Sequence, residues 1–278
     1  MRWTVALISL SGLAPAQTPD AGDLVTRALA KDNRNNEVRR NYTYLRKTTE
    51  RDFDAAGKAV KTETTLTEIM VLFEEQFERV VERNGKPLPP AEAAKQQRKM
   101  DSFIAERKSE TAAHRARRLA DIQKRRQRER DALREVPKAF DLHILRTERF
   151  GGRDTFAIGA TPRPDYKPID IRSRILPKFK GTLWIDKTQG QLVKVEAEAL
   201  GDVSVGFVLA RLSKGSRFMF ETMHVNGEVW LPRRVEAKVD ARLALLKKIR
   251  TEVEIDFSDY KKFQTESRIV TTSEQPCN

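Results

Sequence analysis

Most of the chain alternates apolar and polar residues with a period of two, which is the pattern of half-buried β-strands. In residues 248–260, for example, Val253, Ile255 and Phe257 alternate with charged residues. The predicted strands are residues 42–53, 60–73, 76–82, 142–150, 155–160, 179–185, 191–200, 217–225, 228–243 and 248–260. Turn-forming residues such as Asn226-Gly227 separate them. The sequence therefore predicts about ten antiparallel strands joined by short turns.

Three segments depart from this period. Residues 20–33 place Leu24, Val25, Ala28 and Leu29 on one face of a helix that Asp20 or Asp23 can cap. Residues 91–136 contain almost no glycine or proline and many lysines, arginines, glutamates and alanines, which predicts one long charged helix or two in tandem. Residues 202–212 are mainly apolar and predict a short apolar helix or a lid-like loop.

The order of these elements predicts the fold class. Strands follow one another without the intervening helices that a parallel sheet requires. A large sheet with one apolar face must cover that face by curling or by packing helices against it. We therefore predict a mainly β (α+β) fold, a large antiparallel, incompletely closed β-barrel covered by helices. It forms a single domain over residues 17–264, with residues 91–136 as a charged helical insertion and residues 265–278 as a polar tail.

The first residues have the pattern of an export signal. Arg2 precedes an uncharged, mostly apolar run at residues 3–13, and Ala14-Pro15-Ala16 offers small residues to a signal peptidase. The alternative is a membrane anchor, but the run is shorter than the ~20 apolar residues that span a bilayer. We therefore predict a signal peptide at residues 1–16, cleaved near Ala16, and an exported protein.

The net charge of +13 first indicates an acidic partner, either nucleic acid or an anionic membrane surface. However, residues 95–138, which cover most of the insertion, contain 15 basic and 7 acidic residues, so +8 of this charge lies in that stretch. The insertion could be a solvated helix supported by ion pairs one turn apart, or it could dock on anionic headgroups. A nucleic-acid arm is the weakest alternative, because the segment lacks interleaved aromatic residues and export removes it from most nucleic acid. No nucleic-acid partner is expected.

The sequence contains no recognisable catalytic motif. Glycine-rich phosphate loops, nucleophile elbows and paired carboxylates are missing, and His114, His143 and His224 have no second metal ligand at suitable spacing. Cys277 is the only cysteine, so an intramolecular disulfide cannot form. We predict that the protein is not an enzyme and uses no metal or other cofactor.

One hairpin resembles a known family. The run Gly181-Thr182-Leu183-Trp184-Ile185-Asp186, followed by Gly190-Gln191-Leu192-Val193-Lys194-Val195-Glu196, is similar to the central hairpin of periplasmic lipoprotein carriers of the LolA/LolB type. It also resembles the related outer-membrane lipoprotein-sorting and sigma-factor-regulator (RseB-like) domains. Further features of the resemblance are the helix at residues 21–31, the first hairpin, Asn84-Gly85-Lys86-Pro87-Leu88 and Trp230-Leu231-Pro232. The insertion at residues 91–136 is longer than the connections of the carriers.

The resemblance implies a periplasmic half-open barrel whose apolar face shelters an acyl chain, a lipid or a lipoprotein. Ligand cavities are lined mainly by apolar and aromatic side chains. The candidate lining residues are Trp184, Phe207, Leu209, Phe218, Phe220 and Trp230. Phe207 is the strongest candidate, because a lid can meet a ligand from outside the sheet. Alternatively, these side chains fill a solid core, and the chain is a structural or regulatory envelope module that binds a protein partner.

Overall fold

The computed structural model describes residues 19–170, 173–204, 210–243 and 247–262. In chain order the elements are helix α1 (Ala21–Val38), strands β1 (Tyr42–Phe53), β2 (Ala59–Leu72), β3 (Glu75–Arg83) and β4 (Lys86–Pro87), helices α2 (Pro90–Lys108), α3 (Ala112–Arg134) and α4 (Val136–Ala139), and strands β5 (Phe140–Phe150), β6 (Arg153–Pro162), β7 (Phe179–Asp186), β8 (Leu192–Ala199), β9 (Val203–Ser204), β10 (Ala210–Leu212), β11 (Arg217–Val225), β12 (Val229–Leu243) and β13 (Lys247–Lys262). The predicted signal peptide and the polar tail lie outside the described residues.

All the strands belong to one antiparallel sheet. Its order is β4-β3-β2-β1-β13-β12-β11-β8-β7-β6-β5, and the short strands β9 and β10 branch from β12. The first long strand therefore pairs with the last, so the two halves of the chain join in the middle of the sheet. Strands β4 and β5 form its two edges and do not pair with each other. The predicted antiparallel, incompletely closed sheet with helices is confirmed.

The helices differ from the predictions mainly in length. Asp20 caps α1 by accepting a hydrogen bond from the Asp23 backbone N–H at 2.7 Å, and the helix continues to Val38 rather than ending near Asn33. Its polar last turns contain no glycine or proline to end it. The insertion forms two tandem helices, since Thr111 caps α3 by accepting from the His114 backbone N–H at 3.3 Å.

The segment at residues 202–212 shows a clear difference from its prediction. Val203–Ser204 and Ala210–Leu212 are strands, and they pair with each other through Leu212 and Val203. Strand β10 also pairs with β12. The expected apolar helix is therefore wrong for the described part of this segment, because available backbone partners on β12 decide its conformation.

Helix α1 packs on one end of one sheet face. It buries Val25, Ala28 and Leu29. On the sheet side this core contains Ile158 and Leu183, which lie opposite each other on β6 and β7. Fully burying one aliphatic side chain of this size stabilises a protein by about 1.5–3 kcal/mol. The amphipathic helix therefore covers the β5–β8 part of the face, and its last residue, Val38, packs near Val229 and Leu231 at the start of β12.

The other face of the central strands is charged. Cross-strand ion pairs join β8, β11, β12 and β13 on this side; they are Lys194–Glu221, Arg217–Glu198, Lys238–Glu252 and Arg250–Asp240. Such pairs follow from strict alternation, because every second residue of a strand points to the same face. The central sheet is therefore amphipathic, with one charged and one apolar surface.

The charged insertion is docked on the sheet and is not a free arm. Arg107 of α2 and Arg118 of α3 both donate to the same oxygen of Glu75, each at 3.0 Å. Arg118 also pairs with Glu110 through both carboxylate oxygens. The Phe103 ring of α2 lies 5.2 Å from a sheet phenylalanine, Phe77, between centroids. The shared carboxylate and the aromatic contact fix the insertion to the β2–β3 hairpin.

We expect Glu75→Gln to loosen this docking. It leaves two largely buried guanidinium groups without their common carboxylate, and a hydrogen bond to a charged group contributes about 1.5–3 kcal/mol. We expect a loss of about 2 kcal/mol in the free energy of unfolding in urea, together with faster tryptic cleavage within the insertion. The matched control is Glu63→Gln, since Glu63 forms an exposed pair with Lys61 that should contribute little. Equal stability and equal trypsin resistance of both variants would contradict this account of the docking.

Candidate functional site

Two rows of apolar side chains cross the central strands on one face of the sheet. In the first row Phe220 lies opposite Val195 and Val235, and Val235 lies opposite Ile255. Directly opposed residues of antiparallel strands point to the same face. The second row is Ala197, Phe218, Ala237 and Val253. We call these eight residues the apolar sheet face.

The apolar sheet face is half-buried throughout. None of its eight side chains reaches the burial of Leu183, which continues the first row beneath α1 and is only 7% exposed. On the other side the rows reach β1, where Thr48 lies opposite Ile255 and Glu50 lies opposite Val253. The apolar sheet face is thus bounded by the helix-covered core on one side and by polar residues on the other.

A cluster of tyrosines lies beside this surface. Tyr44 stands 5.9 Å from Phe257 and 5.1 Å from Tyr260 between ring centroids. The Tyr260 hydroxyl donates to the Pro232 carbonyl at 2.6 Å. Burial and then the nearby Tyr44 raise the pKa of Tyr260 well above its usual range. The cluster is therefore neutral and presents aromatic rings, which extends the apolar character of the site towards β1.

The structure divides the predicted lining residues into two groups. Phe218 and Phe220 lie together on the apolar sheet face, and the Phe218 ring contacts Phe179 edge-on at 5.7 Å. Trp184 and Trp230 instead share a small buried cluster with Ala157 and Val193. Phe207 and Leu209 lie outside the described residues. Of the four candidates among the described residues, the two phenylalanines are therefore the ones brought together on the half-buried surface.

The two tryptophans are fixed by polar and cationic neighbours. The indole of Trp184 donates to Glu148, and that of Trp230 donates to Gln189 at 2.7 Å. Trp230 also contacts Arg153, whose guanidinium lies 4.9 Å from the ring centroid. A buried indole with a satisfied N–H and a cation over its ring is a packed structural element. In this arrangement both rings serve the core around the β7–β8 turn.

Sequence reasoning missed the aliphatic part of the apolar sheet face. Its members there are Val195, Ala197, Val235, Ala237, Val253 and Ile255. Each alternates with charged residues along its strand, so the sequence shows that it faces a protected side. The Asn226-Gly227 turn sets the register of β11 and β12 only next to the turn, because the irregularity between Glu221 and Thr222 shifts the pairing before it reaches Phe220 and Val235.

The charged face of the sheet holds a cavity of a different kind. Its volume is about 750 Å³, and its lining includes Lys180, Lys194, Glu196 and Arg217. Lys194 pairs with Glu196 at 2.8 Å and reaches Glu221 at 3.9 Å. Placing an acyl chain there would remove water from these charges, which is costly. This cavity does not suit a lipophilic ligand.

The described residues contain no cluster of three or more histidines, cysteines, aspartates or glutamates that could hold a metal ion. Within the same ranges, no helix combines the length and the apolar character needed to span a membrane. The features that stand out for function are thus the apolar sheet face and the arginine-rich insertion.

No protein-family description matches the chain, and no curated protein sequence matches it. Among solved structures, the chain is similar to a LolA superfamily protein from Nitrosomonas europaea, with 12% identity, a TM-score of 0.35 and coverage of 89% of this chain and 95% of the other. It is similar to a DUF1329 family protein from Desulfovibrio piger, with 9% identity, a TM-score of 0.35 and coverage of 90% and 96%. It is also similar to the MucA/MucB complex structure of Pseudomonas aeruginosa, with 11% identity, a TM-score of 0.24 and coverage of 86% and 94%.

One of these structures bears the name of the superfamily that the sequence resembles. All three TM-scores are below 0.5, so the fold assignment rests on the strand order and pairing described above.

Proposed function

We propose that the protein is a periplasmic, non-enzymatic binding protein for a lipophilic ligand, namely an acyl chain, a lipid or a lipoprotein. The observation that carries this proposal is the apolar sheet face, eight apolar side chains in two continuous rows that remain half-buried. Phe218 and Phe220 are its largest members. Export through the predicted signal peptide at residues 1–16 would bring it to the periplasm.

The free energy gained by burying an acyl chain on this surface is large enough for binding. Each buried methylene contributes about 0.8 kcal/mol, so ten methylenes of an acyl chain would supply about 8 kcal/mol. That is the scale of a micromolar Kd, before the cost of ordering the ligand. An aliphatic and aromatic surface of this kind has no directional polar groups. It would therefore select for apolar character and length more than for a particular headgroup.

The test is a titration with dansyl-labelled undecanoic acid. The mature full chain is stripped of bound lipid, and its folding is checked by circular dichroism. We expect a saturable rise in dansyl fluorescence with a Kd of roughly 1–10 µM. Unlabelled palmitate should displace the probe, whereas butyrate should not, because its short chain buries too little surface.

Folded protein that shows no saturable fluorescence change would contradict the proposal. That outcome would favour the second hypothesis, an envelope module whose sheet is filled by its own side chains and which binds a protein partner. Cell fractionation tests the compartment separately, since the proposed function places the mature chain in the periplasmic fraction.

A further inference from the structure

A second cavity lies on the same side of the sheet as α1, away from the central strands. It has a volume of about 490 Å³ and is enclosed by the C-terminal half of α1, the strands β1, β2 and β3, and helix α3. Its floor includes Tyr44 and Ile69, both of which are buried. Five arginines line it; they are Arg39, Arg40, Arg125, Arg126 and Arg130. We call this cavity the arginine pocket.

Arg126 is the central cation of the arginine pocket. Its Nη2 donates to the Glu74 carbonyl oxygen at 3.1 Å. Its Nη1 is buried and has no hydrogen-bond partner within the described chain. Burial lowers the pKa of Arg126, Arg40 lowers it further, and the nearby Glu74 only partly compensates. A buried donor without an acceptor is costly, so the folded protein stabilises this group poorly by itself.

The carboxylates that line the arginine pocket form no ion pair with its five arginines in the described residues. Glu37, Glu74, Glu75 and Glu129 also line it. Glu75 is already engaged by Arg107 and Arg118. The other three form no ion pair within 4.0 Å with any arginine of the described residues. Elsewhere the same hairpin and insertion pair their arginines directly, as in Arg79–Glu68, Arg83–Glu92 and Arg118–Glu110.

Three further arginines of the arginine pocket also form no ion pair with a carboxylate of the described residues. Arg40 and Arg125 form no ion pair within the described chain, and Arg130 donates only to the side-chain oxygen of Gln127, at 2.7 and 3.2 Å. Arg39 and Arg40 follow directly after α1, whereas the other three belong to the insertion. Two elements that are distant in sequence therefore converge with like charges, which is unfavourable unless an anion lies between them.

We propose that the arginine pocket binds a phosphate-bearing anion, either a free phosphate ester or the headgroup of a phospholipid. A guanidinium group presents a planar fork of donors that matches phosphate oxygens, and several such groups can share one phosphate. A phosphate has enough acceptor oxygens to bond Nη1 of Arg126 and its neighbours together. The cavity volume also leaves room for a small organic group attached to the phosphate. The inference stands on the arginine pocket alone and goes beyond the proposed lipophile binding.

The first arm of the test uses glycerol 3-phosphate and isothermal titration calorimetry in a low-salt buffer without phosphate. Wild-type protein should bind saturably, and Arg126→Gln should bind at least tenfold more weakly. The matched control is Arg98→Gln, because Arg98 is an exposed residue of α2 that lies outside the arginine pocket and carries the same charge. It should bind like wild type.

The second arm distinguishes the source of the phosphate. Protein is sedimented with vesicles of phosphatidylcholine containing phosphatidylglycerol. A loss of sedimentation in Arg126→Gln but not in Arg98→Gln would assign the pocket to a lipid headgroup. Binding of glycerol 3-phosphate without any vesicle binding would assign it to a soluble ester. Both results support the proposed phosphate site.

A third measurement separates ligand binding from structural support. Without any anion, Arg126→Gln should melt at or above the wild-type temperature, because it removes a buried cation with an unpaired donor. The variant should also keep its affinity for dansyl-labelled undecanoic acid, so failure of the arginine pocket and failure of the apolar sheet face can be told apart. The proposal is overturned if Arg126→Gln binds both phosphate probes as tightly as wild type, or if Arg98→Gln loses as much affinity.

Discussion

Phe220→Lys should weaken the binding of dansyl-labelled undecanoic acid at least tenfold. Phe220 lies in the middle of the first apolar row, between Val195 and Val235. The substitution removes a phenylalanine contact of about 1.5–3 kcal/mol and places a charge beneath the bound chain. A tenfold change in Kd corresponds to ~1.4 kcal/mol, so the loss of the phenylalanine contact alone is enough to produce it. The measurement is the same fluorescence titration, with circular dichroism to verify the fold.

Met219→Lys is the matched control for this variant. Met219 is the preceding residue of β11 and faces the charged side, between Glu196 and Glu236. It receives the same added charge in the same strand, but its new neighbours are carboxylates. We expect its affinity for the probe to equal that of wild type. If the two variants lose affinity equally, or neither loses any, the ligand does not bind on the apolar sheet face.

The sheet was largely predictable from sequence because its two faces have opposite character. In β13, charged residues such as Glu252 and Glu254 face ion-pair partners, while Val253 and Ile255 face the apolar side. Short turns then connect neighbouring strands, which leaves few alternative pairings. The junction between β1 and β13 is different, because it joins segments from opposite ends of the chain. No short turn connects these two strands, so the sequence alone did not indicate their pairing.

The site was less predictable, because aromatic character alone does not place a side chain on a face. Trp184 directly follows Leu183, so it points to the side opposite the helix-covered core. Trp230 lies beyond an irregularity in the β11–β12 register, between Glu221 and Thr222. A one-residue shift exchanges the faces of all the residues beyond it. Large side chains were therefore visible in the sequence, but their grouping depended on register irregularities that the sequence does not mark.

The ion pairs of the insertion were also not predictable from the sequence. The net charge of +8 over residues 95–138 was countable, and the division of the insertion into two helices was among the expected alternatives. The sequence could not show that Glu75 would receive Arg107 and Arg118 together, because the partners lie far apart along the chain. For the same reason it could not bring Arg40 next to Arg126. The sequence shows that the positive charge is concentrated in the insertion. The tertiary structure shows which of its arginines form ion pairs and which do not.

Gly181→Ala should be the most destabilising single change considered for this chain. A Cβ atom at this position would lie 2.3 Å from the Glu196 carbonyl oxygen of the neighbouring strand. The obstacle is backbone in the middle of the β7–β8 ladder, so no side-chain rotation relieves it. Overpacking of this kind costs about 1–3 kcal/mol or more, and we expect about 3 kcal/mol in urea unfolding followed by circular dichroism. Gly181 is the first residue of the sequence run that resembles the carriers. The close approach of the Glu196 carbonyl oxygen explains why this position requires a glycine.

Gly159→Ala provides the matched comparison in the adjacent strand. The three atoms nearest to a Cβ at Gly159 would be side-chain atoms of His143 and Leu145, at 3.1–3.2 Å. Those side chains lie at the exposed edge strand β5 and can rotate away, so the loss should stay below about 1 kcal/mol. The two variants make the same chemical change one strand apart, and they differ in whether backbone or side chain fills the space. Equal losses of stability in the two variants would mean that β7 and β8 can move apart to accept a Cβ atom. The register that aligns Val195 with Phe220 on the apolar sheet face would then tolerate displacement as well.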